Sequence, residues 1–161
     1  MSLADRLAAV RARYGAEADD AADDAAWSAL AALAGRMEAE GRGREDPIRA
    51  VFGLLGDRWS MLILLTLGTG EWRHATLRRI IGTLSIEGAI SQRMLTLKLR
   101  AMERDGFVLR TVGDEVPPHV AYRLTDMGAG LLNQAAALLR WVGEHRAAVI
   151  DYRRRFDDRD G

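Results

Sequence analysis

The chain has 161 residues, 23 Lys and Arg against 23 Asp and Glu, three His, no Cys and 48% apolar residues. A chain of this size buries one good core with appended helices. Without Cys, thiol sensing is excluded. No apolar run is long enough to span a bilayer.

Leu3, Leu7, Val10 and Tyr14 make a helical stripe, and Trp27, Leu30, Ala34 and Met37 make a second, widened by Leu33. The acidic, Ala-rich run EADDAADDA between them reads either as a helix start, where carboxylates meet the positive end of the dipole, or as a loose linker. Gly41, Gly43 and Pro47 mark a boundary. Three domains follow from it: a helical extension over 1–46, a central module over 47–125, and a final helix and tail over 126–161. Asp5 interrupts the N-terminus and no long apolar core follows, so no signal peptide is expected and the location is expected to be cytoplasmic.

Within the central module, Pro47 suits the first turn of a helix through Leu55. A second helix is predicted from Trp59 to Leu67, closed by Gly68 and Gly70, and a third over 73–80. Ser91 is a good N-cap for the next helix, in which Leu95, Leu99 and Met102 define a buried face. Gln92, Arg93, Thr96, Leu97 and Arg100 lie away from that face. Gly106 supplies the left-handed cap. Phe107, Val108 and Val112, then Val120 and Tyr122, suit two strands, with Pro117 and Pro118 at the hairpin tip because neither can donate to a ladder. Thr125 caps a long last helix whose stripe of Leu131, Leu138, Val142 and Val149 is widened by Leu132, Leu139 and Trp141.

A basic amphipathic helix followed by a β-hairpin is the layout of a winged helix-turn-helix, so double-stranded DNA is the first partner to consider. Net charge is zero, but its distribution is uneven. Residues 1–46 carry six basic and ten acidic side chains, and residues 71–110 carry eight basic and four acidic. A local basic face steers toward phosphates more than overall charge does.

Four ordered segments resemble the HxlR-type regulators, winged-helix proteins related to the MarR group: DPIRAVFGLLGDRWSMLIL (46–64), HATLRRI (74–80), SQRMLTLKLRAMERDGFVLR (91–110) and EVPPHVAYRLTDMG (115–128). The resemblance implies a mainly α fold with a small β-wing (α+β), and N- and C-terminal helical dimerisation elements. It implies a sequence-specific DNA-binding transcriptional regulator, a repressor, acting as a homodimer on a pseudo-palindromic operator. The two reading helices would then sit about 34–36 Å apart. Four departures stand out: Asp46 replaces the family's Cys, His74 its Phe, His119 its wing Arg or Lys, and Leu97 a common Gln. Residues 81–89 (IGTLSIEGA) also form an insertion ahead of the reading helix.

By this resemblance the helix capped by Ser91 enters the major groove. Gln92 can bond adenine and Arg93 guanine, while Thr96 can bond an edge or touch a thymine methyl. Arg58, Lys98 and Arg100 are phosphate candidates, as are Thr76 and Arg79 on the supporting helix and His119 and Arg123 on the wing. Leu97 is expected to pack against the insertion and His74 to satisfy a core hydrogen bond. Leu131, Leu138, Trp141, Val142 and Val149 are assigned to the homodimer. Tyr14, Trp27, Met37 and Trp141 are candidates to line an apolar pocket for a small aromatic effector, against plain packing.

No cofactor, metal, membrane or enzymatic role is expected. His74, His119 and His145 lie far apart without zinc-type pairing, Ser60 in DRWSM lacks the G-x-S-x-G elbow, and GLLG and GTG lack phosphate-loop spacing. Asp23 and Asp24 belong to a solvated acidic run. Two alternatives stay open: a winged-helix protein-interaction module without DNA binding, and a regulator responsive to a small aromatic ligand.

Overall fold

The computed structural model describes residues 2–14, 21–39, 46–114 and 118–160. Seven helices and three strands follow one another in these residues: α1 (Leu3–Tyr14), α2 (Ala21–Ala39), α3 (Pro47–Gly56), α4 (Arg58–Leu67), β1 (Trp72–Arg73), α5 (His74–Leu84), α6 (Gln92–Arg104), β2 (Val108–Val112), β3 (Val120–Leu124) and α7 (Asp126–Asp160). The chain divides into two compact units, Met1–Val51 and Phe52–Gly161. The architecture is mainly helical with a small antiparallel sheet, as expected.

In the first unit α1 and α2 form an antiparallel hairpin. The backbone N–H of Leu3 donates to the Glu38 carboxylate and Arg11 pairs with Asp24, so opposite ends of the two helices meet. Ala34 of α2 is buried, and Trp27 and Leu7 are half-buried. α2 begins at Ala21, so Asp23 and Asp24 of the acidic run occupy its first turn, and residues 17–20 of the run lie outside the described residues. Gly41 and Gly43, expected at the domain boundary, lie outside the described residues.

The second unit is built around α4, which packs against α5, α6, α7 and β3. Asp57 caps it: the carboxylate accepts from the Ser60 N–H at 2.8 Å and from the Ser60 hydroxyl at 2.6 Å. Ile63, Leu64 and Leu67 of α4 meet Leu77 and Ile81 of α5 and Leu95, Leu99 and Met102 of α6 in one core, all at most 2% exposed. Each such side chain contributes about 1.5–3 kcal/mol by leaving water.

The α6–β2 turn closes as its Gly predicts. Gly106 sits at φ +79°, and the Phe107 N–H reaches back to the Met102 carbonyl at 2.9 Å. Strand order is β1-β3-β2, all antiparallel, with Val108 opposite Leu124 and Val112 opposite Val120. The two-residue β1, which pairs Trp72 with Tyr122, was not expected from sequence. Pro117 of the predicted hairpin tip lies outside the described residues.

Thr125 fastens the start of α7 to that turn. Its hydroxyl accepts from the Gly128 N–H at 3.0 Å and donates to the Gly106 carbonyl at 2.6 Å, while its N–H reaches the Phe107 carbonyl at 3.1 Å. At 35 residues α7 runs about 52 Å. Its first turns bury Ala135 and half-bury Leu131 and Leu132. Farther along, Leu138, Leu139, Trp141, Val142, Val149, Ile150, Tyr152 and Phe156 are exposed.

Candidate nucleic-acid interface

The α6 helix divides its side chains cleanly. Ser91, at φ −67° and ψ 150°, accepts from the Met94 N–H at 3.1 Å, which makes it the cap its sequence position suggests. Leu95, Leu99 and Met102 point into the core, and the opposite face turns outward. Gln92, Arg93, Thr96, Leu97 and Arg100 line one open concavity of about 610 Å³. This places amide, guanidinium, hydroxyl and aliphatic groups together over the first turns of a single helix. Such an arrangement can offer donors, acceptors and a methyl contact to base edges.

Two members of this face differ in what they touch. Thr96 is half-buried and its hydroxyl hydrogen-bonds Nε2 of His74 at 3.1 Å, tying α6 to the supporting α5. Leu97 was expected to pack against the insertion. Instead it is 54% exposed and lies in the concavity, because its position on α6 faces away from the core.

His74 therefore makes the hydrogen bond expected of it, and it also stands 6.1 Å from the Tyr122 ring. Burial, aided by the Arg78 charge, lowers its pKa below the usual imidazole value. As pH falls, the unfolded chain takes up this proton before the folded one does. Stability is thus full above the ordinary imidazole range and is lost as pH drops from there through the lowered folded value. Urea melts across that window should show a shallower decline for His74→Gln than for the parent; parallel declines would assign the proton uptake elsewhere.

Lys98 is directed inward along the surface. Its ammonium lies 3.0 Å from Oδ1 of Asp57, joining the reading helix to the cap of α4. Burial acts to raise the Asp57 pKa, but the Ser60 hydroxyl, the Ser60 N–H and Lys98 outweigh it and hold the carboxyl below its ordinary value. Arg58 pairs with Glu87 of the insertion and lies over the Trp59 ring at 5.1 Å. The cations Lys98 and Arg58 are legible in the sequence, but their partners Asp57 and Glu87 are not. No local pattern links residues 41 and 29 positions apart.

Thr76 and Arg79 are exposed on α5, where they line a second concavity of about 390 Å³ with Ile80, Thr83 and Leu84. Arg123 is exposed on β3 with its Nε 4.0 Å from Glu71. His119 lies against Gly113, where a Cβ would meet its ring, and its carbonyl accepts from the Gly113 N–H at 2.9 Å. Arg100 and Arg93 project outward from α6.

The effector candidates are divided. Trp27 lies in a 290 Å³ concavity of the α1–α2 hairpin with Leu7 and Arg11, and Met37 is exposed in the same unit. The Tyr14 side chain lies outside the described residues. Trp141 belongs to the second unit, where it stacks on His145 at 4.4 Å. Among the described residues no group of three or more His, Asp or Glu is placed to hold a metal ion, and no single helix is long and apolar enough to cross a membrane.

Residues 54–149 match the family model described as HxlR-like helix-turn-helix. The chain is 41% identical over 107 residues to the HTH-type transcriptional regulator YtfH of Escherichia coli (strain K12), a match covering 66% of this chain and 80% of that protein. The solved structure of the transcriptional regulator ytfH from Salmonella typhimurium superposes with a TM-score of 0.57 at 36% identity, over 70% of this chain and 95% of that one. A MarR-family transcriptional regulator from Enterococcus faecalis V583 superposes with a TM-score of 0.53 at 32% identity, over 69% and 94%. The α1–α2 hairpin precedes the matched family segment.

Proposed function

The chain belongs to the HxlR-like helix-turn-helix family of transcriptional regulators, and from that premise we propose that it represses transcription as a homodimer on a pseudo-palindromic operator. The observation that carries this reading is the outward face of α6: Gln92, Arg93, Thr96, Leu97 and Arg100 share one concavity on a helix whose other face is fully core. Gln92, Arg93 and Thr96 read base edges. Arg100, Thr76 and Arg79 contact phosphates, with Arg123 and His119 on the wing. Ser91 fixes the helix start, and Lys98 acts through Asp57 by holding α6 on α4. Repression follows where the operator overlaps a promoter. With no Cys among its 161 residues, regulation does not pass through a thiol of this chain.

The exposed distal part of α7 supports the dimer. Leu138, Val142, His145, Val149, Tyr152 and Phe156 recur at alternating steps of four and three, the spacing of a two-helix seam. Trp141 flanks it, and Leu139 and Ile150 form a second apolar stripe beside it. So wide an apolar surface on a terminal helix is stable in water only when another surface covers it. Leu138→Glu with Val142→Glu should turn a dimer into a monomer in sedimentation at unchanged helicity. A parent protein that sediments as a monomer would refute this part of the reading.

Selection of bound sequences from a random duplex pool tests the function directly. An enriched, two-fold-related motif is the expected result. No enrichment, and no salt-sensitive retention of duplex, would instead favour a protein-interaction module with a winged-helix fold.

A further inference from the structure

The insertion ahead of the reading helix has a defined form. The Ser85 N–H bonds the Ile81 carbonyl at 2.9 Å and the Ser85 hydroxyl accepts from the Glu87 N–H at 3.1 Å. Gly88, at φ +88°, turns the chain back. The base is closed, because a Cβ at Gly82 would already touch Ala89 at 3.4 Å, and Ile90 is only 2% exposed. Ile86 at the tip is 100% exposed. The loop edges an apolar concavity of about 310 Å³ with Arg58, Trp59, Leu62 and Leu84.

The pairing of Glu87 with Arg58 is therefore not needed to hold the loop. It is solvent-accessible: the Arg58 side chain is 61% exposed and that of Glu87 43%. A pair this exposed is worth at most about a fivefold change in an equilibrium. Nor can the neighbouring Asp57 serve Arg58, since its carboxylate is committed to Ser60 and Lys98. A guanidinium binds carboxylate and phosphate oxygens with the same fork of donors.

We propose that Arg58 is a DNA-phosphate site already occupied in the free protein by Glu87, so that the insertion competes with the duplex backbone. This rests on the reading of α6 as the DNA-reading helix. Binding exchanges the Glu87 carboxylate for a phosphate oxygen and frees the insertion to move at the DNA edge. The exchange lowers affinity for duplex of any sequence. The operator complex stays tight because α6 adds base contacts that arbitrary sequence does not offer. In a chain of zero net charge this limits non-specific retention without removing a cation from the interface.

The test is anisotropy of a fluorescently labelled duplex of scrambled sequence, titrated over a range of KCl concentrations. Glu87→Gln should bind about two- to fivefold tighter at low salt with its slope of log affinity on log salt nearly unchanged, since the exchange already neutralises that phosphate in the parent, whereas Arg58→Gln should flatten the slope by about 0.9. Arg58→Gln should abolish that gain, so the double variant matches Arg58→Gln alone. Unchanged affinity in Glu87→Gln, with the parent binding, would overturn the inference while leaving the proposed function intact. A gain that survives Arg58→Gln would overturn it as a general field effect. A parent that binds no duplex overturns both. Should Glu87→Gln melt early, Glu87→Asp withdraws the carboxylate from Arg58 and is read by the same criteria.

Discussion

Gly128→Ala should destabilise the protein by about 3 kcal/mol or more, although Ala favours a helix over Gly by about 1 kcal/mol. Gly128 stands in the first turn of α7, where that helix crosses the start of β2. A Cβ there would overlap the Phe107 carbonyl oxygen and lie 2.9 Å from the carbonyl carbon and 3.3 Å from Cα. These are backbone atoms at the junction of α6 and β2, and no rotamer change relieves the overlap. The whole of α7 would have to lift, breaking the Thr125 bonds to Gly128, Gly106 and Phe107. Gly130, two residues on, is the control. Nothing lies within 4 Å of a Cβ built there, so Gly130→Ala should gain up to about 1 kcal/mol. Each kcal/mol is worth about 2–4 °C in Tm for a chain of this size. Thermal melts should thus move in opposite directions for the two substitutions. Equal shifts would mean that helix propensity, and not the close approach at Phe107, decides the outcome. Because α7 also carries the proposed dimer seam, a surviving Gly128→Ala protein should lose operator binding out of proportion to its loss of stability.

Arg93→Ala should weaken binding to the selected operator by about thirtyfold, from roughly 2 kcal/mol for a bidentate contact to guanine. The loss should concentrate at one base position in each half-site, with preference there relaxed. Arg100→Ala provides the contrast. Its position farther along α6 suits a phosphate, so it should weaken operator and scrambled duplex alike and flatten the salt dependence by about one unit of slope. Competition binding against a panel of single-base operator variants separates the two behaviours. If Arg93→Ala weakens every duplex equally, Arg93 is a phosphate contact, and base reading falls to Gln92, Thr96 and Leu97.

The difference between readable and unreadable features is clearest along α6. Ser91, the Leu95–Leu99–Met102 spacing and Gly106 are local signals. A hydroxyl beside the first turn, a 3.6-residue period and a residue tolerant of positive φ each act within a few residues. They are realised as the cap on Met94, the buried face and the turn at φ +79°. Thr125 belongs to the same class. The two-residue β1 does not, since nothing in Trp72 and Arg73 alone makes a strand; their pairing follows from the open edge of β3. Leu97 departs from its expected packing for a related reason. The insertion that seemed positioned to cover it turns instead toward Arg58, and Leu97 remains in the α6 concavity.

Sequence alone was sufficient for the helix-turn-helix and wing, for the family, and for the face of α6 that is free to meet a partner, because periodicity and caps act over one or two turns. Only the tertiary structure decided which of the candidate side chains on and beside that face are already engaged. Lys98 is held by Asp57, Arg58 by Glu87 and Thr96 by His74, partners brought close by packing α4, α5 and α6 around one core. Coulomb attraction and hydrogen bonding select partners by distance in space, and that distance exists only once the apolar faces have been buried together.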